Sequence, residues 1–313
     1  MKKKLSIMVP CYNEEENVVP MSEALVAQLE AMPEYDYEIV FIDNCSQDST
    51  RALLRKICEG NKKIKAIFNT RNFGQFNSPY HAICQTTGDC TITICCDFQD
   101  PIEMIPKFVA EWEQGYKIVC GVKTSSKEKR LMYFLRSVYY RLIKKLSKAE
   151  QIEHFTGFGL YDKSFVDVLR NLDDPTPFFR GIVGELGPKF KTIEYEQPKR
   201  RAGKTSNNIF TLYDAAMLSF TSYTKILPRL AVFGGAFLSG GSVFAALVCL
   251  ILKLINPLYF FNTGTAAILL AIFFVAGLQI FFTGILGEYI LSINTRVMKR
   301  PLVVEDERIN FDD

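Results

Sequence analysis

Several signatures are missing from this 313-residue chain, and each absence removes a class of function. No GxGxxG or GxxxxGK[ST] run occurs, which argues against a glycine-cradled dinucleotide or a P-loop triphosphate. Histidine is nearly absent: His81 and His154 are isolated, show no metal-ligand spacing and read as structural. The nine cysteines form no CxxC and no paired disulfide spacing, so zinc and redox work are not indicated and a reducing compartment is the simpler reading. There is no long repeat and no low-complexity segment. The formal net charge of +3 is uninformative by itself, no nucleic-acid partner is expected, and what matters is where the positive charge clusters.

Charge is also missing locally. Leu230 to Leu252 and Leu254 to Gly287 are uncharged, with only Lys253 and Glu288 near their ends. About 20 apolar residues cross a bilayer core, so the stretches predict two spans, Leu230 to Ile255 and Thr265 to Ile290. Two buried core helices are the competing reading, but soluble helices rarely run this long without charge. Position excludes a cleaved signal peptide. Lys225 and Arg229 precede the pair and Arg296, Lys299 and Arg300 follow it, whereas Asn256 to Gly264 carries no Lys or Arg. A hairpin with both ends in the cytoplasm follows. The predicted organisation is a cytoplasmic domain over 1–226, two transmembrane helices within 227–292 and a cytoplasmic tail over 293–313, whose part after Pro301 is acidic and expected to be mobile.

In the first 120 residues β-rich runs alternate with helical segments: LSIMVP, YEIVFID, IKAIFN, TITICCD and YKIVCG are separated by Asn17 to Glu30, Ser49 to Glu59, Phe76 to Thr86 and Ile102 to Gln114. The alternation predicts an α/β fold, a mostly parallel sheet covered by helices. Ligands bind beyond the carboxyl ends of such strands. Polar residues gather there: Tyr12 to Glu16, Asp43 to Asp48 and Asp97 to Asp100. Carboxylates at strand ends suit a divalent cation and a ribose, and Asp97 and Gln99 could offer oxygens to Mg²⁺ or Mn²⁺, with Asp100 or Glu103 nearby. Asp100, before Pro101, also reads as a helix N-cap. Trp112 is expected to pack on the side away from this rim.

The run VPCYNEEENV, the DNCSQDST segment, the RNFGQF loop, CCDFQDPIE, RAGKTSN and the GEYI and KRP ends together resemble glycosyltransferase family 2, with its GT-A (Rossmann-like) catalytic domain. The C-terminal hairpin narrows the resemblance to the polyprenyl-phosphate glycosyltransferases. The resemblance implies inverting transfer of a sugar from a nucleotide donor, such as UDP-glucose, to a polyprenyl phosphate at the cytoplasmic face of the inner membrane. It implies that Pro10, Tyr12 and Glu14 form the nucleotide-binding loop, that Asp43 holds the base or ribose, and that Asp97 and Gln99 form the metal and diphosphate site. Lys123, Arg136 and Arg200 match family positions for the acceptor phosphate, with Asp97 and Arg136 at the reacting centre. A flippase, a downstream membrane glycosyltransferase and a second copy of the chain are the further partners it suggests.

Two departures stand out. Cys95-Cys96-Asp97 replaces Asp-x-Asp, and Gly157-Phe158-Gly159-Leu160 replaces Asp-Phe-Arg-Leu. Cys95 is expected to be a neutral structural thiol, since hard cations prefer oxygen. Two other readings stand beside the polyprenyl-phosphate one, a transferase for another lipid or glycan and a catalytically weak assembly partner, which these losses motivate. Retention of Asp97, Gln99 and the basic residues opposes the second. From Lys127 to Lys148 eight Lys or Arg face one acid, with Leu131, Phe134, Leu135, Val138, Leu142 and Leu146 at helical spacing. This predicts an amphipathic helix in the membrane interface, with a solvated basic face as the alternative and a companion helix over about 207–225.

Overall fold

The computed structural model describes residues 2–124, 154–172, 174–203 and 265–311, with scattered positions between them. Its centre is an eight-stranded sheet ordered β7-β5-β6-β4-β1-β2-β3-β8. The strands are β1 (Lys4–Cys11), β2 (Asp36–Asp43), β3 (Ile64–Asn69), β4 (Cys90–Thr93), β5 (Ile118–Lys123), β6 (Phe155–Asp162), β7 (Phe190–Tyr195) and β8 (Glu305–Ile309). The helices are α1 (Val18–Glu30), α2 (Thr50–Gly60), α3 (Gly74–Gln85), α4 (Ile105–Glu113), α5 (Lys163–Asn171), α6 (Phe179–Leu186) and α7 (Thr265–Val297).

Strand periodicity divides the core in two. Leu5, Ile7 and Val9 of β1, with Ile39 and Phe41 of β2, meet Met21 and Leu25 of α1, Leu54 of α2 and Phe108 of α4. Met8, Val40 and Ile42, pointing the other way, meet Tyr80 and Ile83 of α3, Phe165 and Leu169 of α5 and Ile182 of α6. Burial on both faces explains why the central strands read as unbroken apolar runs rather than alternations.

The sheet is mostly parallel, with six of its eight strands in one direction, and is mixed because two strands oppose them. β4, β1, β2 and β3 run parallel, but β6 lies antiparallel between β4 and β5, and β8 runs antiparallel to β3. β4 is shorter than TITICCD suggested: pairing stops at Thr93, where the chain bends into the rim loop. The tail expected to be mobile is ordered. Its strand β8 covers the β3 edge, and Arg51–Asp306 and Arg55–Glu307 ion pairs at 2.7 Å hold it there, with His81 Nε2 at 2.5 Å from Glu305. Asn310 adds two 2.7 Å hydrogen bonds from Nδ2 to the carbonyls of Cys58 and Ile64. A polar strand thus holds the edge through its side chains.

Trp112 packs on α4 away from the rim and donates from Nε1 to Asp162 at 2.8 Å. The second expected span corresponds to α7, which continues past Ile290 to Val297. Among the described residues it is the one helix long and apolar enough to cross a membrane: Phe274–Val297 has a mean hydropathy of 1.6 and none of it is buried. The Lys127–Lys148 helix, Arg136, most of the companion helix and half of the first span lie outside the described residues, so the two-helix hairpin rests on sequence.

Candidate active site

All the parallel strands, with β5 and β7, end on one side of the sheet, at Cys11, Asp43, Asn69, Thr93, Lys123 and Tyr195. The three polar loops expected at a ligand rim are therefore brought together. Each contains one non-glycine residue in the left-handed region: Asn13 at φ 55°, Cys45 at 64° and Phe98 at 61°. That conformation is costly, and it persists where surrounding contacts over-determine it.

Those contacts are specific in the first two loops. Asn13 N–H donates to Ser46 Oγ at 2.8 Å, Gln47 N–H donates back to Asn13 Oδ1 at 2.8 Å, and Glu14 N–H donates to Thr50 Oγ1 at 2.9 Å. The loops after β1 and β2 are thus one hydrogen-bonded unit. Pro10 lies in β1 opposite Ile42, and Tyr12 follows the strand, half-buried at the rim. Asp43 is fully buried at the end of β2. Burial raises its pKa, with partial opposition from Ser46, whose N–H lies 3.1 Å from Oδ2, and from Arg51, whose Nε is 3.7 Å away.

Arg200 joins the first loop to the third. Its guanidinium pairs with Glu14, lies 3.7 Å from Asp97 Oδ2 through Nε, and donates from Nε to the Ala202 carbonyl at 3.0 Å. Glu14 is buried, and Asn17 Nδ2 donates to its other oxygen at 2.6 Å. Burial raises the Glu14 pKa, Asn17 and Arg200 lower it, and Asp97 raises it further. Glu14, expected to contact the nucleotide, here anchors Arg200. Asp97 is part-exposed, and its Oδ1 accepts the Gln99 N–H at 3.1 Å, which turns the loop back so that Gln99 stays at the rim. Among the described residues no three His, Cys, Asp or Glu side chains converge as a metal cage. Asp97 and Gln99 nevertheless form an all-oxygen pair open to the rim, which fits a hard cation sharing its shell with donor phosphates and water.

Asp100 is not a helix cap. Pro101 holds the capping position, and the Asp100 carboxylate accepts from Cys95 N–H at 3.0 Å and from Tyr195 OH at 3.1 Å. Sequence reading missed Tyr195, which needs the long-range pairing of β7 with β5 to reach the site. Cys95 is an exposed residue at the cleft. The protein mass around its thiol, with the Asp100 and Asp97 carboxylates, still pushes its pKa well up, consistent with a neutral thiol. Lys123 ends β5 on the rim. At the second departure, a Cβ at Gly159 would meet the Val119 carbonyl oxygen at 2.4 Å, so no arginine fits this backbone. Gly157 has φ +103° and its carbonyl accepts the Tyr161 OH at 2.7 Å.

Comparison with known proteins places this rim in a family. The profile of Glycosyl transferase family 2 matches residues 6–169. The bactoprenol glucosyl transferase of Shigella phage SfX is 30% identical over 301 residues, covering 95% of this chain and 97% of that one. A prophage bactoprenol glucosyl transferase homolog of Escherichia coli K12 is 29% identical with the same coverage. Among solved structures, glucosyl-3-phosphoglycerate synthase from Mycobacterium tuberculosis superposes with a TM-score of 0.50 at 15% identity, over 70% of this chain and 78% of that one, a likeness of fold. With its first half matched by the profile and relatives aligned along nearly its whole length, the chain belongs to glycosyltransferase family 2 and is a glycosyltransferase.

Proposed function

We propose that this enzyme moves a hexose from a nucleotide-sugar donor, with UDP-glucose the first candidate, to a polyprenyl phosphate at the cytoplasmic face of the inner membrane, with inversion at the anomeric carbon. The observation that carries the reading is the meeting of Arg200 with Asp97 and Glu14 on a rim whose chain continues into an apolar helix. An arginine held at the rim by two carboxylates can exchange one of them for a phosphate oxygen, and its planar fork suits that ligand. The full-length relatives named bactoprenol glucosyl transferase support the lipid acceptor.

In this reading Pro10 and Tyr12 line the nucleotide, Asp43 faces its base or ribose, and Asp97 with Gln99 would hold Mg²⁺ or Mn²⁺. A bound divalent cation would neutralise the diphosphate leaving group. A phosphomonoester has a second pKa of about 6, so the acceptor oxygen is already anionic near neutral pH and attack on the sugar carbon needs little help from a base. What the chain supplies is position and charge. Arg200, Lys123 and Arg136 hold the acceptor phosphate in line with the departing diphosphate, and the new C–O bond forms on the face opposite the one that breaks.

The test is direct. Purified full-length protein, given a panel of nucleotide sugars and a short polyprenyl phosphate with Mg²⁺, Mn²⁺ or chelator, is expected to yield a polyprenyl-phosphate hexose of inverted anomeric configuration only with metal. Transfer to glycan or to another lipid, in preference to the polyprenyl phosphate, would overturn the acceptor assignment.

A further inference from the structure

The connection between α7 and β8 runs along the rim, and what it touches there has no role in the chemistry above. Arg296, in the last turn of α7, lies 3.6 Å from Asp174. Asn77 Nδ2 donates to the carbonyls of Leu302 at 3.4 Å and Pro175 at 3.2 Å, and Thr70 N–H donates to the Val304 carbonyl at 3.0 Å. β8 then starts beside Asn69, at the rim end of β3. The helix therefore enters the catalytic domain beside the Thr70–Phe73 loop, which leads into α3.

The apolar surface of α7 extends to this point. Ile290, Leu291, Ile293, Val297 and Met298 are all exposed, so a bilayer that covers them reaches the level of Arg296. At 33 residues α7 is about 50 Å long, enough for the hydrocarbon core and both headgroup layers. Beside its end the loop presents exposed Arg71, with its guanidinium 4.5 Å over the Phe73 ring, while Arg180 lies 5.2 Å over Phe178. Arginine with aromatic rings at a bilayer boundary is a headgroup-binding combination.

The loop is also held rigidly against the donor side. Asn44, next to Asp43, accepts from Asn69 Nδ2 at 3.2 Å and from Phe73 N–H at 2.9 Å through Oδ1. Its Nδ2 donates to Asn72 Oδ1 at 2.9 Å and to the Gly74 carbonyl at 3.2 Å. A loop with no internal ladder thus keeps its tip fixed toward α7.

We propose that the Arg71–Phe73 loop and the first turn of α3, with Arg180, form a membrane-docking element that binds anionic headgroups of the surrounding bilayer and seats the rim on the lipid surface. This rests on the reading of α7 as a bilayer span. Full-length protein in nanodiscs of phosphatidylcholine and phosphatidylglycerol, the lipids brominated near the headgroup or, in a second set for Phe282→Trp, near the ends of the acyl chains, tests both separately. The native chain has one tryptophan, Trp112, so single reporters are easily read above it. Phe73→Trp and, independently, Gln75→Trp should be strongly quenched by the brominated lipid. Glu59→Trp, at the far end of α2, should not. In the Phe73→Trp protein, adding Arg71→Glu should reduce quenching severalfold in phosphatidylglycerol discs and leave pure phosphatidylcholine discs little changed. Reporters at 73 and 75 that escape lipid quenching while Phe282→Trp in α7 is quenched would overturn the docking proposal alone. An unquenched Phe282→Trp would overturn the span on which it rests.

Discussion

Asp97 bears most of the predicted chemistry, yet its carboxylate accepts a single backbone N–H among the described residues and shares Arg200 with Glu14. Its carboxylate is thus available to a cation in a way that buried Asp43 and Asp100 are not. Asp97→Ala should lower turnover about 10²- to 10³-fold, the usual cost of removing a charge-organising group from a transition-state site. Thermal unfolding of the variant should match the parent, and near-normal turnover by the folded variant would refute the assignment.

Glu38, at the opposite end of the sheet, shows what a fully partnered carboxylate does. Burial would raise its pKa, but Ser6, the Thr87 N–H, Lys4 and Lys65 overcome that and hold it at about 2, against an ordinary 4.5. Because the folded-state value is the lower one, the stabilisation is present above about pH 4.5 and is lost as pH falls toward 2. Its size is roughly 3 kcal/mol. Glu38→Gln should lower the unfolding temperature at pH 7, and the gap from the parent should close across that acid window. A gap that stays constant with pH would mean that the charge contributes nothing.

At the scale of elements, β8 is the clearest case where sequence and structure part. EDERI lacks the apolar face that marks a strand, so a solvated tail was the natural reading. The strand is instead held by charge pairs with α2 and by Asn310, a residue at φ 62° whose amide caps two carbonyls near the end of α2 and the start of β3. Asn310→Ala should cost about 1 to 3 kcal/mol, since both acceptors lose their donor and alanine tolerates that backbone poorly. Chemical unfolding of the full chain in detergent measures it, and an unchanged midpoint would show that the edge is held by the ion pairs alone.

The elements that were legible share one property: β1, β2 and β3 are buried on both faces, so composition alone marks them, and their polar ends mark the rim. Asp97, Gln99, Asp43 and Lys123 were found from that pattern or from the family resemblance, and all lie at the rim. What escaped depends on distant pairing. Tyr195 reaches Asp100 only because β7 joins β5, and Arg200 reaches Glu14 across 186 positions of sequence. The Asn13–Ser46 exchange was nearer to hand: two loops rich in Asn, Asp and Ser are natural partners for each other's backbone.

For the whole molecule, the direction of the chain decides the topology. The end of α7 is bound to the catalytic domain through Arg296 and Leu302, so the domain and the C-terminus share one side of any bilayer the helix crosses. Thr265, at the other end of a helix about 50 Å long, must then lie beyond a hydrocarbon core of about 30 Å. In the topology proposed above, the sequence just before it, free of Lys and Arg from Asn256 to Gly264, faces outward and the basic flanks face the cytoplasm. In intact cells Asn262→Cys should react with a membrane-impermeant maleimide. A second variant, Glu59→Cys, exposed on the catalytic domain, supplies the control and should react only after the cells are permeabilised. Labelling of position 59 before permeabilisation, with position 262 protected, would put the catalytic domain on the opposite face and remove it from cytoplasmic nucleotide sugars.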